Sequence, residues 1–154
     1  WNKAQMFYNN KAYEAALEVY EPLYPLLKHK PEFLFEAAQS LSKTGQYEKA
    51  NEYLERAVLL SSDPMLYYVM AKNEQCLGEY RQAEKHLLHA IDILPERIYP
   101  YYLLMNLYTE PSYFQPAKLK MAIDSVLTKK PKVESSAIKE MKEKARSMLN
   151  NTSI

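Results

Sequence analysis

The side chains best suited to chemistry in this sequence are two histidines and a single cysteine. His86 and His89 are three residues apart, so they would share one face of a helix. A metal site needs at least one further ligand at a suitable spacing, and the sequence offers none. Cys76 has no histidine or base near it in the sequence, so we expect a buried or half-buried structural thiol. This pattern predicts surface histidines, with no metal, no cofactor and no catalytic site.

Composition narrows the remaining classes of function. The sequence has 154 residues, only two glycines and a net charge of +1, so it contains no glycine-rich phosphate loop and we expect no nucleic-acid partner. No run of apolar residues is long enough to span a bilayer. The charge is uneven, because residues 118–154 carry 9 basic and 4 acidic residues. That excess indicates either a solvated, lysine-rich last helix or a surface for anionic lipid headgroups or an acidic partner.

The two glycines reveal the elements that must position any site. Gly45 and Gly78 are 33 residues apart, and the stretches around them, TGQYEKANEYLERA and LGEYRQAEKHLLHA, share tyrosine, alanine and leucine at equal spacing. A third stretch, KAYEAALEVY, aligns 34 residues before the first of these. Such a unit predicts two antiparallel helices joined by a tight turn in which glycine adopts the left-handed conformation. Because one unit cannot bury its own apolar face, units must stack.

This repeat resembles the tetratricopeptide family, and the resemblance covers nearly the whole chain. It implies an all-α fold, a right-handed α-solenoid of about four helix-turn-helix repeats and a C-terminal capping helix, in a single domain over residues 1–154. Several prolines fall between units and mark the boundaries. The predicted elements are a partial repeat over residues 1–30, repeats over 31–63, 64–97 and 98–131, and a capping helix over 133–150.

Two of the repeats depart from the pattern. Pro22 and Pro25 fall inside the second helix of the first repeat, so we expect that helix to kink or split near Glu21. In the fourth repeat Ser112 takes the place of the turn glycine, while Ala117 still falls on a signature position. We therefore expect a fourth repeat that keeps its two helices and loses the regular turn.

The resemblance also implies where a ligand would bind. In this family the groove is lined by positions 5, 9 and 12 of the first helix of each repeat. Position 5 is aromatic in all four repeats, and positions 9 and 12 are mostly amides or hydroxyls, which suits an extended peptide or stacked sugar rings. The alternative is that the rings pack against the adjacent helix and expose only an edge. The predicted groove residues are Trp1, Gln5 and Tyr8; Phe35, Gln39 and Ser42; Tyr68, Lys72 and Gln75; and Tyr102, Asn106 and Thr109.

Four stretches resemble a narrower family. VYEPLYPLLKHKPEFLF, LLSSDPMLYY, ILPERIYPYYLLMNLY and VLTKKPKVESSAIKEM are similar to the C-terminal repeat tail of O-antigen ligase/polymerase-like membrane proteins of Bacteroides-type bacteria. That resemblance implies a non-catalytic module that positions protein partners or glycan beside a parent embedded in the bacterial inner membrane, on its periplasmic face, with surface polysaccharide assembly as the parent's function. The alternatives are a soluble peptide-binding adaptor or scaffold, and a cytoplasmic location. Because the sequence starts partway through a repeat, we expect a fragment of a longer protein.

Overall fold

A computed structural model describes residues 1–151 of the chain. Helices account for most of these residues, which contain no β-strand, so the predicted all-α class is confirmed. Over the same residues, no helix is both long enough and apolar enough to cross a lipid bilayer. In chain order the helices are α1 (Asn2–Asn9), α2 (Tyr13–Leu27), α3 (Pro31–Lys43), α4 (Tyr47–Val58), α5 (Pro64–Cys76), α6 (Tyr80–Ile93), α7 (Tyr99–Tyr108), α8 (Pro116–Thr128) and α9 (Ser136–Asn151).

Proline and glycine set several of the helix ends. Pro31, Pro64 and Pro116 are the first residues of α3, α5 and α8, where a helix does not need the missing N–H group. Gly45 and Gly78 follow α3 and α5 with φ angles of +84° and +78°. These angles are in the left-handed region that favours glycine, as the repeat pattern predicts.

The first repeat makes its turn with a lysine instead of glycine. Lys11 aligns with the turn glycine of the second repeat and has a φ angle of +61°. The N–H of Ala12 donates to the carbonyl oxygen of Phe7 at 2.8 Å, just as the N–H of Gln46 donates to that of Leu41 at 2.8 Å after α3. The same hydrogen-bonded turn therefore forms, although the left-handed conformation costs a side chain about 1 kcal/mol.

The two internal prolines do not divide α2. The helix runs without interruption over Tyr13–Leu27, so it does not split near Glu21, and the kink expected there stays a prediction. Pro22 and Pro25 cannot donate to the carbonyl oxygens of Glu18 and Glu21 one turn earlier. All four residues are exposed, so water is able to satisfy these oxygens and the helix continues.

The helices form two compact units, of which the first is Trp1–Glu79. It contains α1 to α5, and α3 contacts each of the other four. Its core combines alanines, which let helix backbones approach closely, with large side chains that fill the remaining space. The fully buried members include Ala37, Ala38, Ala50, Ala57, Tyr20, Phe33, Leu34, Leu41 and Leu54.

The second unit begins at Tyr80 and contains α6 to α9. In it α7 contacts α6, α8 and α9, and α9 packs mainly on α8. This division of the chain falls inside the predicted third repeat, and the predicted repeat boundaries stay predictions. Large buried side chains of the second unit include Leu87, Met105, Leu107, Leu119, Ile123 and Val126.

The register of α8 differs from the repeat pattern. Ala117, which was predicted on a signature position, is exposed. A short 3-10 turn at Pro111–Tyr113 and the residues that follow it lengthen the connection between α7 and α8. The buried face of α8 consequently lies 36 residues after that of α6, so that Ala83, Leu87 and Ala90 correspond to Leu119, Ile123 and Val126.

Candidate functional site

Apart from Trp1, which directly precedes α1, the predicted groove residues of the first unit lie on three neighbouring helices. Helix α3 contacts both α1 and α5. On each helix the residues are three or four positions apart, so they share one face. We call this surface the α1–α3–α5 face. It holds Gln5 and Tyr8 on α1, Phe35, Gln39 and Ser42 on α3, and Tyr68, Lys72 and Gln75 on α5.

Glu36 of α3 joins the first two of these helices and α2. Its Oε2 accepts from the indole Nε1 of Trp1 at 3.2 Å and from the hydroxyl of Tyr20 at 3.1 Å. Its Oε1 accepts from Nε2 of Gln5 at 2.9 Å. Burial, together with the charge and hydrogen bond of Glu36, raises the pKa of the Tyr20 hydroxyl. Trp1 and Gln5 therefore already use polar groups that were predicted to be available to a ligand.

The aromatic rings at the start of this face also have partners within the protein. The Trp1 ring meets the Phe33 ring edge to face at 6.0 Å between centroids, and the ammonium of Lys30 is 5.9 Å from the Trp1 ring. The ring of Tyr8 also meets the ring of Tyr13 edge to face, with 5.9 Å between the ring centroids. Burial, followed by Tyr13 and Glu36, raises the pKa of the Tyr8 hydroxyl. These rings contribute packing energy in their present positions.

Further along the face the aromatic side chains are wholly or partly covered and the hydroxyl oxygen of Ser42 is buried, whereas the two glutamines and Lys72 keep exposed surface. Tyr68 is only 5% exposed, and Phe35 is half-buried against the core. Lys72 is exposed, and Gln39 and Gln75 are half-buried. Of the predicted rings on α3 and α5, only Phe35 therefore keeps part of its surface exposed, while amide and ammonium groups remain within reach of solvent.

The second unit holds the last three predicted groove residues. On α7, Tyr102 stacks on Tyr99 at 6.4 Å between centroids, and the ammonium of Lys144 from α9 is 5.5 Å from the Tyr102 ring. Thr109 ends the helix by donating its hydroxyl to the carbonyl oxygen of Asn106 at 2.6 Å. Within the described residues, the side-chain oxygen of Asn106 is buried without a hydrogen-bond partner. The structure thus places a cation over the ring of Tyr102, which the sequence did not predict.

Two buried polar residues that the sequence reasoning missed occupy equivalent positions in successive repeats. Asn51 follows the signature alanine of α4, and Glu84 follows that of α6, 33 residues later. The side chain of Asn51 donates to the carbonyl oxygen of Met70 at 3.3 Å and accepts from Nδ2 of Asn73 at 2.8 Å. A polar residue directly after a buried alanine is the signal in the sequence that indicates such a link between helices.

Glu84 accepts three hydrogen bonds in the second unit. The hydroxyls of Tyr108 and Tyr113 donate to its two oxygens at 2.5 Å and 2.6 Å, and Nζ of Lys118 donates at 3.0 Å. Burial alone would raise the pKa of Glu84, but the three donors and the lysine charge outweigh it and lower that pKa. Burial and Glu84 raise the pKa of Tyr108. The cluster holds an ionised carboxylate in place and serves the packing of α6 against α7.

Acid is expected to destabilise the protein through Glu84. Its pKa is lower in the folded protein than in the unfolded chain, so the ionised carboxylate stabilises the fold above the ordinary value of about 4.3. That contribution is lost as the pH falls through the folded pKa, because the unfolded chain binds the proton first. Urea unfolding at pH 7 and at about pH 3 should show that the difference in the free energy of unfolding between wild type and Glu84→Gln is smaller in acid. A difference in the free energy of unfolding that is the same at both pH values would contradict this prediction.

The histidines and the cysteine do not form a site. His89 is exposed and His86 is half-buried beside Gln82. Cys76 is exposed, so the prediction of a buried or half-buried thiol is wrong. It is the last residue of α5, beyond the turns of that helix that pack into the core. In residues 1–151, no group of three His, Cys, Asp or Glu side chains is arranged to hold a metal ion.

Comparisons with known proteins identify relatives for both the sequence and the fold. Tetratricopeptide repeat protein 21A of Mus musculus is 35% identical to this chain over 86 residues, which are 56% of this chain and 6% of the mouse protein. The chain therefore corresponds to a small part of that relative. The solved structure of MamA from Desulfovibrio magneticus RS-1 matches with a TM-score of 0.74 at 18% identity, over 99% of this chain and 94% of that chain. YrrB, described as a TPR protein with an unusual peptide-binding site, matches with a TM-score of 0.70 at 14% identity, over 99% of this chain and 77% of that chain.

The structural matches show the fold, and a family model shows the family. Residues 9–90, just over half of the chain, match the model of the family described as anaphase-promoting complex, cyclosome, subunit 3. The predicted tetratricopeptide fold is confirmed, and the chain belongs to the tetratricopeptide repeat proteins, in the family described as anaphase-promoting complex, cyclosome, subunit 3.

Proposed function

We propose that this protein-interaction module binds an extended peptide on the α1–α3–α5 face of its first unit. The observation that carries the proposal is the set of polar side chains that keep exposed surface there. Gln39 and Lys72 lie on the contacting helices α3 and α5, and the half-buried ring of Phe35 is one turn before Gln39 on α3. A glutamine amide both donates and accepts hydrogen bonds, so it complements the N–H and C=O groups of an extended backbone. The lysine adds a cation for an acidic side chain or a terminal carboxylate.

The hydrogen bonds of Glu36 support the same role. They fix Trp1 and Gln5 of the α1 region and Tyr20 of α2 to α3 before any ligand arrives. A surface that is already ordered loses less conformational entropy when it binds, which favours affinity. YrrB, which has a similar fold, is described as having a peptide-binding site. That property of YrrB supports the proposal that the ligand of this chain is also a peptide.

Selection of a random displayed peptide library on the purified chain tests the proposal. The enriched peptide, labelled with a fluorophore, is titrated with the wild type and with the double variant Gln39→Ala, Lys72→Ala. We expect the Kd to rise about 5- to 150-fold, because each substitution removes a hydrogen bond worth about 0.5–1.5 kcal/mol.

The matched control is Gln82→Ala with Lys85→Ala, which changes the same residue types at exposed positions of α6. It should leave the Kd unchanged, and circular dichroism should show that both double variants keep the wild-type melting temperature. If the two double variants weaken binding equally, the peptide binds elsewhere and the proposal fails.

A narrower function stays a prediction from the four stretches compared with O-antigen ligase/polymerase-like proteins. It would make this chain the periplasmic tail of an inner-membrane parent and add glycan as a ligand class. The family model and the relatives described above carry no such description. The full-length gene tests this prediction, which requires about ten upstream apolar spans of about 20 residues each.

A further inference from the structure

The lysine-rich end of the second unit is organised around the ammonium of Lys142. Its Nζ donates to the carbonyl oxygens of Val126 at 2.8 Å, Leu127 at 3.2 Å and Lys129 at 2.9 Å. These are carbonyl oxygens at the C-terminal end of α8, which carries the partial negative charge of the helix dipole. The middle of α9 is thereby fastened to the point where the connection over residues 129–135 begins.

Four further cations lie on the two segments that this anchor joins. Lys139 and Arg146 are three residues before and four residues after Lys142, so they lie on the same side of α9. Lys130 and Lys132 lie in the connection. All four side chains are exposed, and none of them forms an ion pair within the described part of the chain. We call these four residues the α8–α9 basic surface.

Nearby acids neutralise this surface only in part, because Glu143 lies four residues after Lys139 and three before Arg146 on α9, and Glu134 follows Val133. Residues 129–146 contain seven basic residues and three acidic ones, so this segment has a net charge of +4. Residues 1–117, by contrast, contain 11 basic and 15 acidic residues. The positive charge is therefore concentrated at one end of the second unit, where it creates a local attraction for anions that net charge alone does not reveal.

Val133 distinguishes between two kinds of anionic partner. It directly follows Lys132 and is 75% exposed. At a bilayer surface an apolar side chain enters the boundary of the acyl layer while neighbouring ammonium groups meet the lipid phosphates. An acidic peptide would neutralise the lysines, but it would cover Val133 only if it also carried an apolar side chain at that point. The valine beside the lysines therefore favours a lipid surface.

We propose that the α8–α9 basic surface docks on a membrane that carries anionic lipid headgroups. Lys130, Lys132, Lys139 and Arg146 meet the phosphates, and Val133 inserts into the interface. This docking uses the second unit and is independent of peptide binding on the first.

Co-sedimentation of the full 154-residue chain with vesicles tests the proposal. Phosphatidylcholine vesicles that contain phosphatidylglycerol should bind the protein, and added salt should weaken that binding. The double variant Lys130→Gln, Lys132→Gln should lower the partition coefficient about 30-fold, because each lysine near an anionic surface contributes about fivefold. Val133→Ser should lower it severalfold at unchanged charge.

The control variant Lys28→Gln, Lys85→Gln removes the same charge from exposed positions outside this surface. It should bind within about twofold of the wild type, since neither lysine belongs to the α8–α9 basic surface. Equal losses in the two double variants, or equal binding to pure phosphatidylcholine, would overturn the proposal. If a polyglutamate peptide binds the chain and the anionic vesicles do not, the surface belongs to an acidic protein partner and the proposal is also overturned.

Discussion

Replacement of Phe33 by alanine is expected to lower the free energy of unfolding of the first unit by about 3–5 kcal/mol. The ring is fully buried and meets the rings of Trp1 and Tyr20 at 6.0 Å and 5.6 Å between centroids. These same two residues donate to Glu36, so the cavity would also loosen the groups that join α1 and α2 to α3. Urea unfolding followed by the fluorescence of Trp1, the single tryptophan, measures the loss in this unit.

The matched substitution is Phe114→Ala, at a ring that is 48% exposed. Far-UV circular dichroism should show a loss of less than about 1 kcal/mol for that variant, because little packed surface is removed. Similar losses at the two positions would show that Phe33 is not a central packing residue. So would a Phe33→Ala loss below about 1 kcal/mol.

Replacement of Glu84 by alanine is expected to lower the free energy of unfolding by about 2–4 kcal/mol. The change removes the acceptor for the buried hydroxyl of Tyr108, for Tyr113 and for the ammonium of Lys118. Lys118 is half exposed and can return to water, so most of the loss comes from the hydroxyl of Tyr108, which is 4% exposed. Thermal and urea unfolding followed by circular dichroism measure it, with a shift of roughly 2–4 °C per kcal/mol in a chain of this size.

Two further substitutions separate this effect from the loss of a charge. Glu55→Ala, at an exposed position of α4, should change the stability by less than about 0.5 kcal/mol. Glu84→Gln keeps an acceptor for one tyrosine, so its free energy of unfolding should lie between those of Glu84→Ala and the wild type. Equal stabilities of Glu84→Ala and Glu55→Ala would contradict the role assigned to the cluster.

The structural features that were predicted correctly from the sequence are those that depend on local interactions. Gly45 and Gly78 have the left-handed φ angles that their spacing predicts, and Pro31, Pro64 and Pro116 begin helices. Each of these outcomes depends on the backbone preference of the residue itself and on neighbours within one turn.

Predictions that depended on distant surroundings failed. The register of α8 is displaced by two residues because an irregular connection precedes it, and Ala117 is exposed. Helix α2 continues through Pro22 and Pro25 because their side of the helix is open to water. Cys76 is exposed because it lies past the packed turns of α5.

The sequence by itself determined which positions share a helix face, because the repeat period and the helical period are properties of the chain order. It therefore placed ten of the twelve predicted residues on α1, α3, α5 and α7, with Trp1 and Thr109 at the ends of α1 and α7. The tertiary structure decided what those residues do. Trp1 and Gln5 donate hydrogen bonds to Glu36, which is more than 30 residues away in the sequence. The side chain of Tyr68 is buried, and the ammonium of Lys144 lies over the ring of Tyr102. The hydrogen-bond partners and the burial of a side chain depend on which side chains of other helices pack next to it. The spacing of residues along one helix does not determine those neighbours.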